Sequence, residues 1–435
     1  MRIAFLTLGC KLNYAETSTY ERGFRQNGFE VVDWEDKAEV YLVNTCSVTE
    51  RAEKKCRNAI RKVHRIAPEA RIVVAGCYAE LRHDEIAAIE GVVRVFGAKE
   101  KSRVVRETIE IVSGHPPIKE TTVGKSLAEE YKEISKETMA AYSSEDRTRS
   151  FLKVQDGCNN FCAYCTVPFA RGESRSISIA EAVGQAKQIA ATGIREIVLT
   201  GVNTGDFGRT TGESFLDLLK SLNDVEGIER YRISSIEPNL ITDGIIDWIA
   251  SGTKFQKHFH IPLQSGSDTI LKRVGRRYTT DFFADRIASI REKLDPVPGT
   301  PGSNLEPFVF FGIDVIAGLP GETDELFEET YSFLKDRIRP AYIHVFPYSR
   351  RPGTAAAMWK DQVRDSVKTE RVARLESLCQ ELHEEFRQMN RGRSEKVLWE
   401  TDVKDGMMGG YTGNYIRVER PWDPALAGKI EDIII

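Results

Sequence analysis

The chain has 435 residues, of which 29% are charged, and a net charge of −4 at pH 7. No apolar run approaches the roughly 18 to 20 residues that cross a bilayer, and the amino-terminal segment lacks the basic start and long apolar stretch of a secretory signal. We therefore expect a cytoplasmic protein of two or three domains without a membrane partner. The negative charge excludes a general nucleic-acid binder, so any RNA must be bound by local basic surfaces.

The first predicted domain, residues 1–112, alternates strand and helix patterns. Its predicted strands are "RIAFLTL", "EVYLVN" and "RIVVAG", and the helix after the second of them begins with a predicted capping box, Ser47 with Glu50. Alternation of this kind predicts a small open α/β sheet with parallel strands. Residues 113–146 are polar and weakly periodic, which predicts a linker.

The second predicted domain, residues 147–372, continues the alternation of strands and helices from "FLKVQD" onward. Six βα units can wrap into a complete or partial barrel, whose functional groups lie where the strands end. One helix of this series has Ser178 and Glu181 as a capping box and ends at Gly193. Segment 295–307 is rich in Pro and Gly, which predicts an exposed loop.

The third predicted unit, residues 373–435, contains most of a helix expected at about 363–389 and then a small all-β module. Its short strand patterns are separated by glycine-containing turns. The predicted fold class is therefore α/β, with an open amino-terminal domain, a central barrel and a carboxy-terminal β module.

Three cysteines, Cys158, Cys162 and Cys165, follow the first predicted barrel strand within "DGCNNFCAYC". A structural zinc site needs a fourth ligand, which is not nearby, and a Cys162–Cys165 dithiol leaves Cys158 unexplained. Three thiolates on an iron–sulfur cube leave one iron open for a substrate or cofactor. An iron–sulfur site is the favoured prediction, with zinc and a dithiol as alternatives.

A second group, Cys10, Cys46 and Cys77, ends the three predicted strands of the first domain. The carboxyl ends of parallel strands lie along one edge of a sheet, so these thiols are predicted to converge as a second three-cysteine site. The alternative is that they are small buried core residues. The remaining two, Cys56 and Cys379, lie on the apolar stripes of amphipathic helices and are predicted to be core.

The C-x3-C-x2-C spacing after the first barrel strand resembles the radical S-adenosylmethionine (SAM) superfamily, in which the open iron chelates SAM. Segments "TGVNTGDFG", "RISSIEP" and "IDVIAGLPGE" are similar to its SAM-contacting strand ends, although each segment alone is also typical of an ordinary βα loop. The resemblance implies a radical-SAM partial (βα)6 barrel and SAM as a cofactor. The cofactor-binding residues that it implies are Gly201, Asn203, Ser235, Glu237 and Gly318.

Nearly the whole chain resembles the methylthiotransferase family. "GCKLNYAE", "NTCSVTERAEKKCRNAIRK" and "AGCYAE" are similar to that family's amino-terminal cluster domain, "HIPLQSGSD" and "GLPGET" to its barrel, and the last residues to its RNA-binding TRAM domain. The resemblance implies two 4Fe–4S clusters, one on each cysteine group. It also implies two uses of SAM, as a methyl donor to sulfur on the second cluster and as the source of a radical that abstracts hydrogen at adenine C2, the carbon to which the methylthio group then bonds.

The segments around the cysteines are most similar to the branch that acts on N6-threonylcarbamoyladenosine (t6A) at tRNA position 37. The resemblance thus implies conversion of t6A to its 2-methylthio form, with the tRNA anticodon stem-loop as partner; no motif identifies the electron donor or the sulfur source. The alternatives are isopentenyladenosine-37 or a ribosomal-protein aspartate as substrate. An alternative of another class is a non-catalytic iron–sulfur or zinc protein that binds RNA.

The predicted helix at residues 51–65 carries seven basic residues against one acid, directly after Cys46. Such a helix face can neutralise tRNA phosphates beside the second cysteine group. The alternative is that these side chains are exposed to water and bind no partner. Glu237 and His260 are candidate polar contacts to SAM or a base, and no catalytic residue is assigned beyond the clusters. The candidate substrate or RNA contacts are Asn13, Arg51, Lys54, Lys55, Arg171 and Arg175.

The carboxy-terminal module, residues 391–435, has seven basic and eight acidic residues. A module of this charge cannot bind RNA through phosphates alone. We therefore expect its RNA contacts to come from a local face or from Tyr411, Tyr415 and Trp422 stacking on bases.

Overall fold

The computed structural model describes residues 1–114, 138–143 and 148–435. Most of the predicted linker 113–146 therefore lies outside the described residues. The described part of that segment contributes one short strand, β6 (Ala141–Tyr142), which pairs antiparallel with the first barrel strand.

Residues 1–114 form an open α/β domain, as the alternating pattern predicts. Its parallel strands lie in the order β2-β1-β3-β4-β5, with apolar clusters on both faces of the sheet. The strands are β1 (Arg2–Thr7), β2 (Glu30–Val32), β3 (Val40–Thr45), β4 (Arg71–Gly76) and β5 (Val92–Phe96). The helices are α1 (Lys11–Gln26), α2 (Glu50–Ile66), α3 (Cys77–Leu81), α4 (His83–Ala87) and α5 (Val104–Val112), preceded by a 3-10 turn at Lys101–Arg103.

The predicted capping box of α2 is wrong by two residues. Ser47 is buried in the loop before the helix, and the cap is Thr49, whose hydroxyl accepts the Ala52 N–H at 3.1 Å. Thr49 has the extended backbone that a cap requires, with φ −135° and ψ 157°. Ser47 and Thr49 both precede this helix, and the sequence pattern of a helix cap fits either residue.

Six parallel strands form the central barrel. They are β7 (Arg149–Lys153), β10 (Glu196–Thr200), β11 (Arg230–Ile233), β12 (His258–Gln264), β13 (Phe310–Ala317) and β14 (Tyr342–Pro347). Two sheets, β11-β10-β7-β6 and β12-β13-β14, meet through isolated parallel bridges at Tyr231–Phe255 and Ser235–His260. Within the described residues no strand joins β14 to β7, so this is a partial (βα)6 barrel with one open side.

Helices cover the outside of the barrel and enclose its main apolar core. The Ser178–Glu181 capping box is confirmed, Gly193 follows that helix at φ +86°, and segment 295–307 is mostly exposed. A short antiparallel pair, β8 (Gln155–Asp156) with β9 (Arg175–Ser176), flanks the cysteine loop. The helices are α6 (Val167–Arg171), α7 (Ile179–Ala191), α8 (Phe215–Asn223), α9 (Asp243–Ala250), α10 (Asp268–Arg273), α11 (Thr280–Leu294), α12 (Asp324–Ser332), continued by a π-helix at Phe333–Ile338, and α13 (Ala355–Met358). Two 3-10 turns lie at Thr204–Asp206 and Pro238–Leu240.

The carboxy-terminal part is a long helix and an antiparallel sheet, which confirms the predicted all-β module. Helix α14 (Asp365–Asn390) leads to β15 (Ser394–Lys404), β16 (Met407–Tyr411), β17 (Arg417–Pro421) and β18 (Ile430–Ile434), in the order β17-β16-β15-β18. Arg232 of β11 donates to the carbonyls of Thr412 and Gly413, each at 2.7 Å. The sheet therefore covers the end of the barrel where the strands begin.

The three aromatic residues that are expected to stack on bases are half-buried and pack against other side chains. Tyr415 stacks beside His258 at 4.9 Å and lies under the Arg232 guanidinium at 4.5 Å. Tyr411 packs on Tyr415, and Trp422 packs against the core of the small sheet. Tyr411 and Tyr415 therefore join the sheet to the barrel, whereas Trp422 packs within the sheet; their stacking on bases stays a prediction.

The amino-terminal domain closes the open side of the barrel. Helix α1 packs on β6 and β7 at one edge. At the opposite edge, beyond β14, Arg351 forms a buried ion pair with Glu53 of α2, and Ser349 accepts the Glu50 N–H at 3.3 Å. The barrel interior is thus bounded by residues of both domains.

A buried ionic network holds the two domains together. Glu16 of α1 has no exposed surface and accepts from Lys101, Lys153 at 2.7 Å and Arg171 at 3.3 Å. Asp156 of the barrel pairs with Lys153 at 2.7 Å and Arg171 at 2.8 Å. Burial alone raises the pKa of Glu16, but the surrounding cations outweigh burial and bring it down to about 2.

We predict that Glu16→Gln destabilises the protein by about 3–5 kcal/mol, because it leaves buried cations without their counter-charge. The folded-state pKa lies below the unfolded value of 4.5, so this stabilisation is complete above about pH 4.5 and is lost as the pH falls toward about 2. Thermal unfolding of the variant should therefore depend less on pH in this range.

The matched control is Glu35→Gln, which removes a carboxylate that is 73% exposed and pairs with Lys62. It should cost less than about 1 kcal/mol. Equal unfolding midpoints for the two variants would contradict the role of the network.

Candidate functional site

The first cysteine group lies in a loop between β8 and α6, at the carboxyl end of the barrel. Gly157 opens the loop with φ +72°, and a Cβ at this position would clash with the Glu173 carbonyl. The Cys158 N–H donates to the Gly172 carbonyl at 3.1 Å. This contact folds the loop back on itself and directs the three thiols toward one space.

Backbone amides also point at these thiols. The N–H groups of Asn160 and Val167 lie 3.5 Å from the sulfurs of Cys158 and Cys165. Burial, together with the neighbouring thiols, raises the pKa of Cys165 to about 12. Thiolates at this position therefore need a metal or cation to compensate their charge.

Four of the five candidate SAM-binding residues surround this loop. Gly201 and Asn203 follow β10, while Ser235 and Glu237 follow β11. The Asn203 side-chain oxygen accepts the Glu237 N–H at 3.2 Å, and the Glu237 carboxylate accepts from Asn160 at 2.9 Å. Gly318 lies elsewhere, at the end of β13, where its N–H donates to Glu322 at 2.6 Å.

Arg276 connects the thiols to this ring of polar groups. Its guanidinium lies 3.4 Å from the Cys162 sulfur and 3.0 Å from the Glu237 carboxylate. Glu237 is therefore held by a charged partner and is only 7% exposed. Nothing in the sequence pattern distinguished Arg276 from its neighbours.

The second cysteine group converges at the carboxyl edge of the amino-terminal sheet. Gly9 has φ +121°, and a Cβ placed there would lie 2.8 Å from the Cys46 Cβ, so the loops carrying Cys10 and Cys46 are in close contact. Burial and the charges of Cys77 and Cys10 raise the pKa of Cys46 to about 12. The three strand ends thus bring these thiols together.

The spacing of the thiols argues against a single metal ion. A tetrahedral zinc site with Zn–S bonds of ~2.3 Å places its sulfurs ~3.8 Å apart. Among the described residues, only His260, Asp314 and His344 bring three ligand atoms within 4.8 Å of one another. The more widely spaced cysteine groups fit a larger iron–sulfur group.

Asn13 and Arg171 link the two cysteine groups. Asn13, three residues after Cys10, donates to the carbonyls of Leu8 and Thr45, which fixes the loops beside Cys10 and Cys46. Its side-chain oxygen accepts from Arg171 at 2.7 Å. Arg171 ends α6, the helix that follows the first cysteine group.

The structure separates the candidate RNA contacts into two sets. Arg171 and Arg175 are 2% and 5% exposed and are bonded to Asp156, and Asn13 is also buried. The polar groups of these three residues hold the two domains together, and their contact with a substrate stays a prediction. Arg51, Lys54 and Lys55 lie exposed on α2, near Cys46.

The other two cysteines are core residues, as predicted. Cys56 is fully buried in one apolar cluster of the amino-terminal domain, and Cys379 is 7% exposed in the main barrel core. Both lie on helices and not at strand ends.

The barrel interior contains polar groups that sequence reasoning largely missed. His260 of β12 bonds to Asp314 of β13 at 2.8 Å and stacks on His344 of β14 at 4.8 Å. Gly312 lies between the two rings, where a side chain would approach both. Burial and His260 lower the pKa of His344 to about 4, so this ring is neutral near pH 7.

The strand period explains why these residues share one space. Phe259, Ile261 and Leu263 of β12 pack in the outer core, so His258 and His260, which alternate with them, face inward. The same alternation places Asp314 and His344 inside. The period-2 pattern of each strand predicts which side chains face the barrel interior, but it does not predict which of them are in contact.

Comparison with known proteins gives two family matches. Residues 2–97 match the Uncharacterized protein family UPF0004, and residues 152–334 match the Radical SAM superfamily. A relative from Bacillus subtilis (strain 168), the threonylcarbamoyladenosine tRNA methylthiotransferase MtaB, is 40% identical over 445 residues that cover 100% of this chain and 93% of the relative. The chain belongs to the radical SAM tRNA methylthiotransferase family.

Other matches place this methylthiotransferase within a wider group. A tRNA-2-methylthio-N(6)-dimethylallyladenosine synthase from Natranaerobius thermophilus is 30% identical and covers 99% of this chain and 93% of the relative. The radical SAM methyltransferase TsrM from Kitasatospora setae shares the fold, with a TM-score of 0.56, 14% identity, and coverage of 82% of this chain and 77% of that chain. The family implies SAM, a 4Fe–4S cluster and a tRNA substrate.

No helix in the described parts of the chain has both the length and the apolar character that crossing a bilayer requires.

We predict that Arg276→Met lowers the reduction potential of the cluster at Cys158, Cys162 and Cys165. The guanidinium beside the Cys162 sulfur offsets negative charge, so its removal should make the added electron less stable, by on the order of 50 mV. Redox titration monitored by electron paramagnetic resonance measures this shift, and Arg276→Lys should restore part of it.

The control is Arg273→Met, because Arg273 pairs with Asp361 and lies over Trp359 instead. The reduction potential of the cluster in this variant should equal that in the wild type. Identical potentials for the Arg273 and Arg276 variants would show that the contact with the sulfur has no electrostatic effect.

Proposed function

We propose that this enzyme transfers a methylthio group to C2 of N6-threonylcarbamoyladenosine at tRNA position 37, using a 4Fe–4S cluster on each cysteine group. The observation that carries the proposal is the presence of two three-cysteine sites at strand ends of two domains that one buried network joins. Cleavage of SAM to a radical requires one cluster, which the first cysteine group alone can hold. The second group, close to the first through Asn13 and Arg171, supports a sulfur-carrying site.

The protein's own residues have a clear division of roles in this proposal. When bound, the cluster at Cys158, Cys162 and Cys165 supplies one-electron cleavage of SAM. Asn203 and Glu237 bind and orient the cofactor's polar groups at the strand ends. Phe310 of β13 stacks on His258 and His344 of β14 stacks on His260, so both rings line the interior space in which the reacting base would lie.

Binding of the tRNA anticodon stem-loop is assigned to the exposed cations of α2. Arg51, Lys54 and Lys55 lie at the start of this helix, five to nine residues beyond Cys46 in the chain, so bound phosphates would lie near the second cysteine group. Modification of a base in a structured loop generally requires that the base leave its stack. Although the amino-terminal domain bounds this side of the barrel, Tyr342 and Phe346 of β14 are 39% and 43% exposed, so we assign entry of the base to this strand.

Identity favours the threonylcarbamoyl substrate over the dimethylallyl one. The relative that acts on threonylcarbamoyladenosine is 40% identical to this chain, against 30% for the dimethylallyladenosine enzyme, at similar coverage. The two substrates share the adenine and differ in charge, since only the threonylcarbamoyl group carries a carboxylate.

The decisive experiment is expression of this chain in a bacterium whose own t6A methylthiotransferase gene has been deleted. Nucleosides from the purified tRNA are then separated and identified by mass spectrometry. We expect the 2-methylthio form of t6A to appear, and a variant with Cys158, Cys162 and Cys165 all changed to Ala to produce none. Unchanged t6A, with 2-methylthio-isopentenyladenosine formed in a host that also lacks its own enzyme for that product, would favour the dimethylallyl alternative. A methylthiolated aspartate found by mass spectrometry of the host's ribosomal proteins would favour the other.

We predict that Gly9→Ala removes the second cluster and leaves the first. Its new methyl group would lie 2.8 Å from the Cys46 Cβ, at a φ of +121°, so Cys46 must move out of place. Anaerobically reconstituted wild type should contain about eight irons per chain and the variant about four. Iron and sulfide analysis measures both.

The matched control is Gly28→Ala, which also has a positive φ, +80°, but has no atom within 4 Å of the added Cβ. This variant should keep the full iron content, which separates the clash from backbone strain. A wild type with only about four irons would refute the two-cluster proposal.

A further inference from the structure

Three side chains with metal-binding atoms converge in the barrel interior, apart from both cysteine groups. They are His260 of β12, Asp314 of β13 and His344 of β14, and one ligand atom of each lies within 4.8 Å of the other two. His260 Nε2 is 2.8 Å from the Asp314 carboxylate, and the two imidazole rings stack with their centroids 4.8 Å apart. In the part of the chain that the structure describes, no other three histidine, cysteine or acidic residues meet this closely.

The strand register explains why these three side chains meet. His260 lies opposite Gly312 on β13, and Asp314 lies opposite His344 on β14. A Cβ at position 312 would lie 3.6 Å from His344 Nε2 and 3.9 Å from His260 Nδ1, so a side chain longer than alanine would crowd both rings. The cluster is therefore assembled by three neighbouring strands of one sheet, with a glycine where the rings approach each other.

Two imidazoles and one carboxylate are a common ligand set for a divalent transition metal. Such ligands bind the ion through bonds of about 2.0 to 2.2 Å, which places neighbouring ligand atoms about 3 to 4 Å apart. The ligand atoms of this cluster are at most 4.8 Å apart. Because the terminal torsions of histidine and aspartate side chains are soft, small rotations of these side chains would bring the three atoms to the required spacing.

The cluster also has the charge and the access that a cation needs. Among the described residues, the Asp314 carboxylate forms an ion pair with His260 and with no lysine or arginine. Arg232, at the base of the barrel, is paired with Glu196, so its charge is already offset. The side chains of His260 and Asp314 are 21% and 18% exposed, so an ion can reach them from solvent.

We propose that His260, Asp314 and His344 bind one divalent transition-metal ion in the barrel interior. Three protein ligands leave at least one coordination position open, as in catalytic metal sites and in contrast to structural ones. Because the three side chains face the space that the two domains enclose, this open position accepts an oxygen ligand from that space. The proposal requires only these three side chains and does not depend on which nucleoside the enzyme modifies.

The test measures binding of Mn²⁺ to the reconstituted holoenzyme by electron paramagnetic resonance at room temperature under anaerobic conditions. The protein is first treated with a chelator, so that weakly held ions do not occupy the site. Free Mn²⁺ gives a sharp signal that is lost on binding, and oxidised 4Fe–4S clusters give no signal of their own. Mn²⁺ is the probe because it suits carboxylate and water ligands better than thiolates, and it therefore leaves the cysteine groups intact. We expect a single saturable site per chain.

Two substitutions test the ligands themselves. His344→Phe keeps a planar ring in the stack but removes its nitrogens, and Asp314→Asn keeps the shape of the side chain but removes its charge. Each substitution should weaken Mn²⁺ binding by at least about 10-fold. Pulsed electron paramagnetic resonance of the bound ion should show coupling to imidazole nitrogen in the wild type and less of this coupling in His344→Phe. A general loss of stability would not change the coupling in this way.

The matched control is His258→Phe, two residues before His260 on the same face of β12. Its ring stacks on Phe310 at 5.1 Å, and its Nδ1 is buried without a hydrogen-bond partner, so phenylalanine can replace it. At equal iron content this variant should bind Mn²⁺ as the wild type does. The proposal would be overturned by a wild type without a saturable site, by a bound ion without imidazole coupling, or by binding that is the same in the control and in His344→Phe.

Discussion

The buried carboxylate of Glu16 determines how the two halves of the site face each other. Its partners come from both domains, Lys101 from the amino-terminal one and Lys153 and Arg171 from the barrel. A buried charge of this kind is tolerated only with its full set of partners, so small rotations between the domains are costly. Since Asp156 stands two residues before Cys158 and Asn13 three residues after Cys10, the same contacts position both cysteine groups.

An incomplete barrel makes this arrangement possible. A closed eight-stranded barrel fills its interior with its own side chains. Here β14 and β7 do not meet among the described strands, and the amino-terminal domain supplies the missing wall. The interior is therefore bounded by residues of two domains. The carboxy-terminal sheet closes the base, where Arg230 and Arg232 bind its carbonyl oxygens.

Much of the fold and the main site followed from local sequence patterns. The βα alternation, the Ser178 capping box and the strand-end cysteines are short-range signals, and the structure reproduces these elements. Contacts between domains left no such signal. Arg171 and Arg175 were candidate substrate contacts, because nothing near them in the sequence shows that Glu16 and Asp156 will pair with them in the interior. The same limit hid Arg276, Asp314 and His344, whose partners lie on other strands.

The buried cations of this protein already have fixed counter-charges. Arg171, Arg230 and Arg232 each pair with a buried carboxylate, so an incoming ligand gains little from binding them. A low-dielectric interior makes each of these pairs more costly to break than it would be in water. These pairs therefore hold the domains and the barrel base in place, whereas the exposed cations of α2 can exchange water for phosphates at little cost.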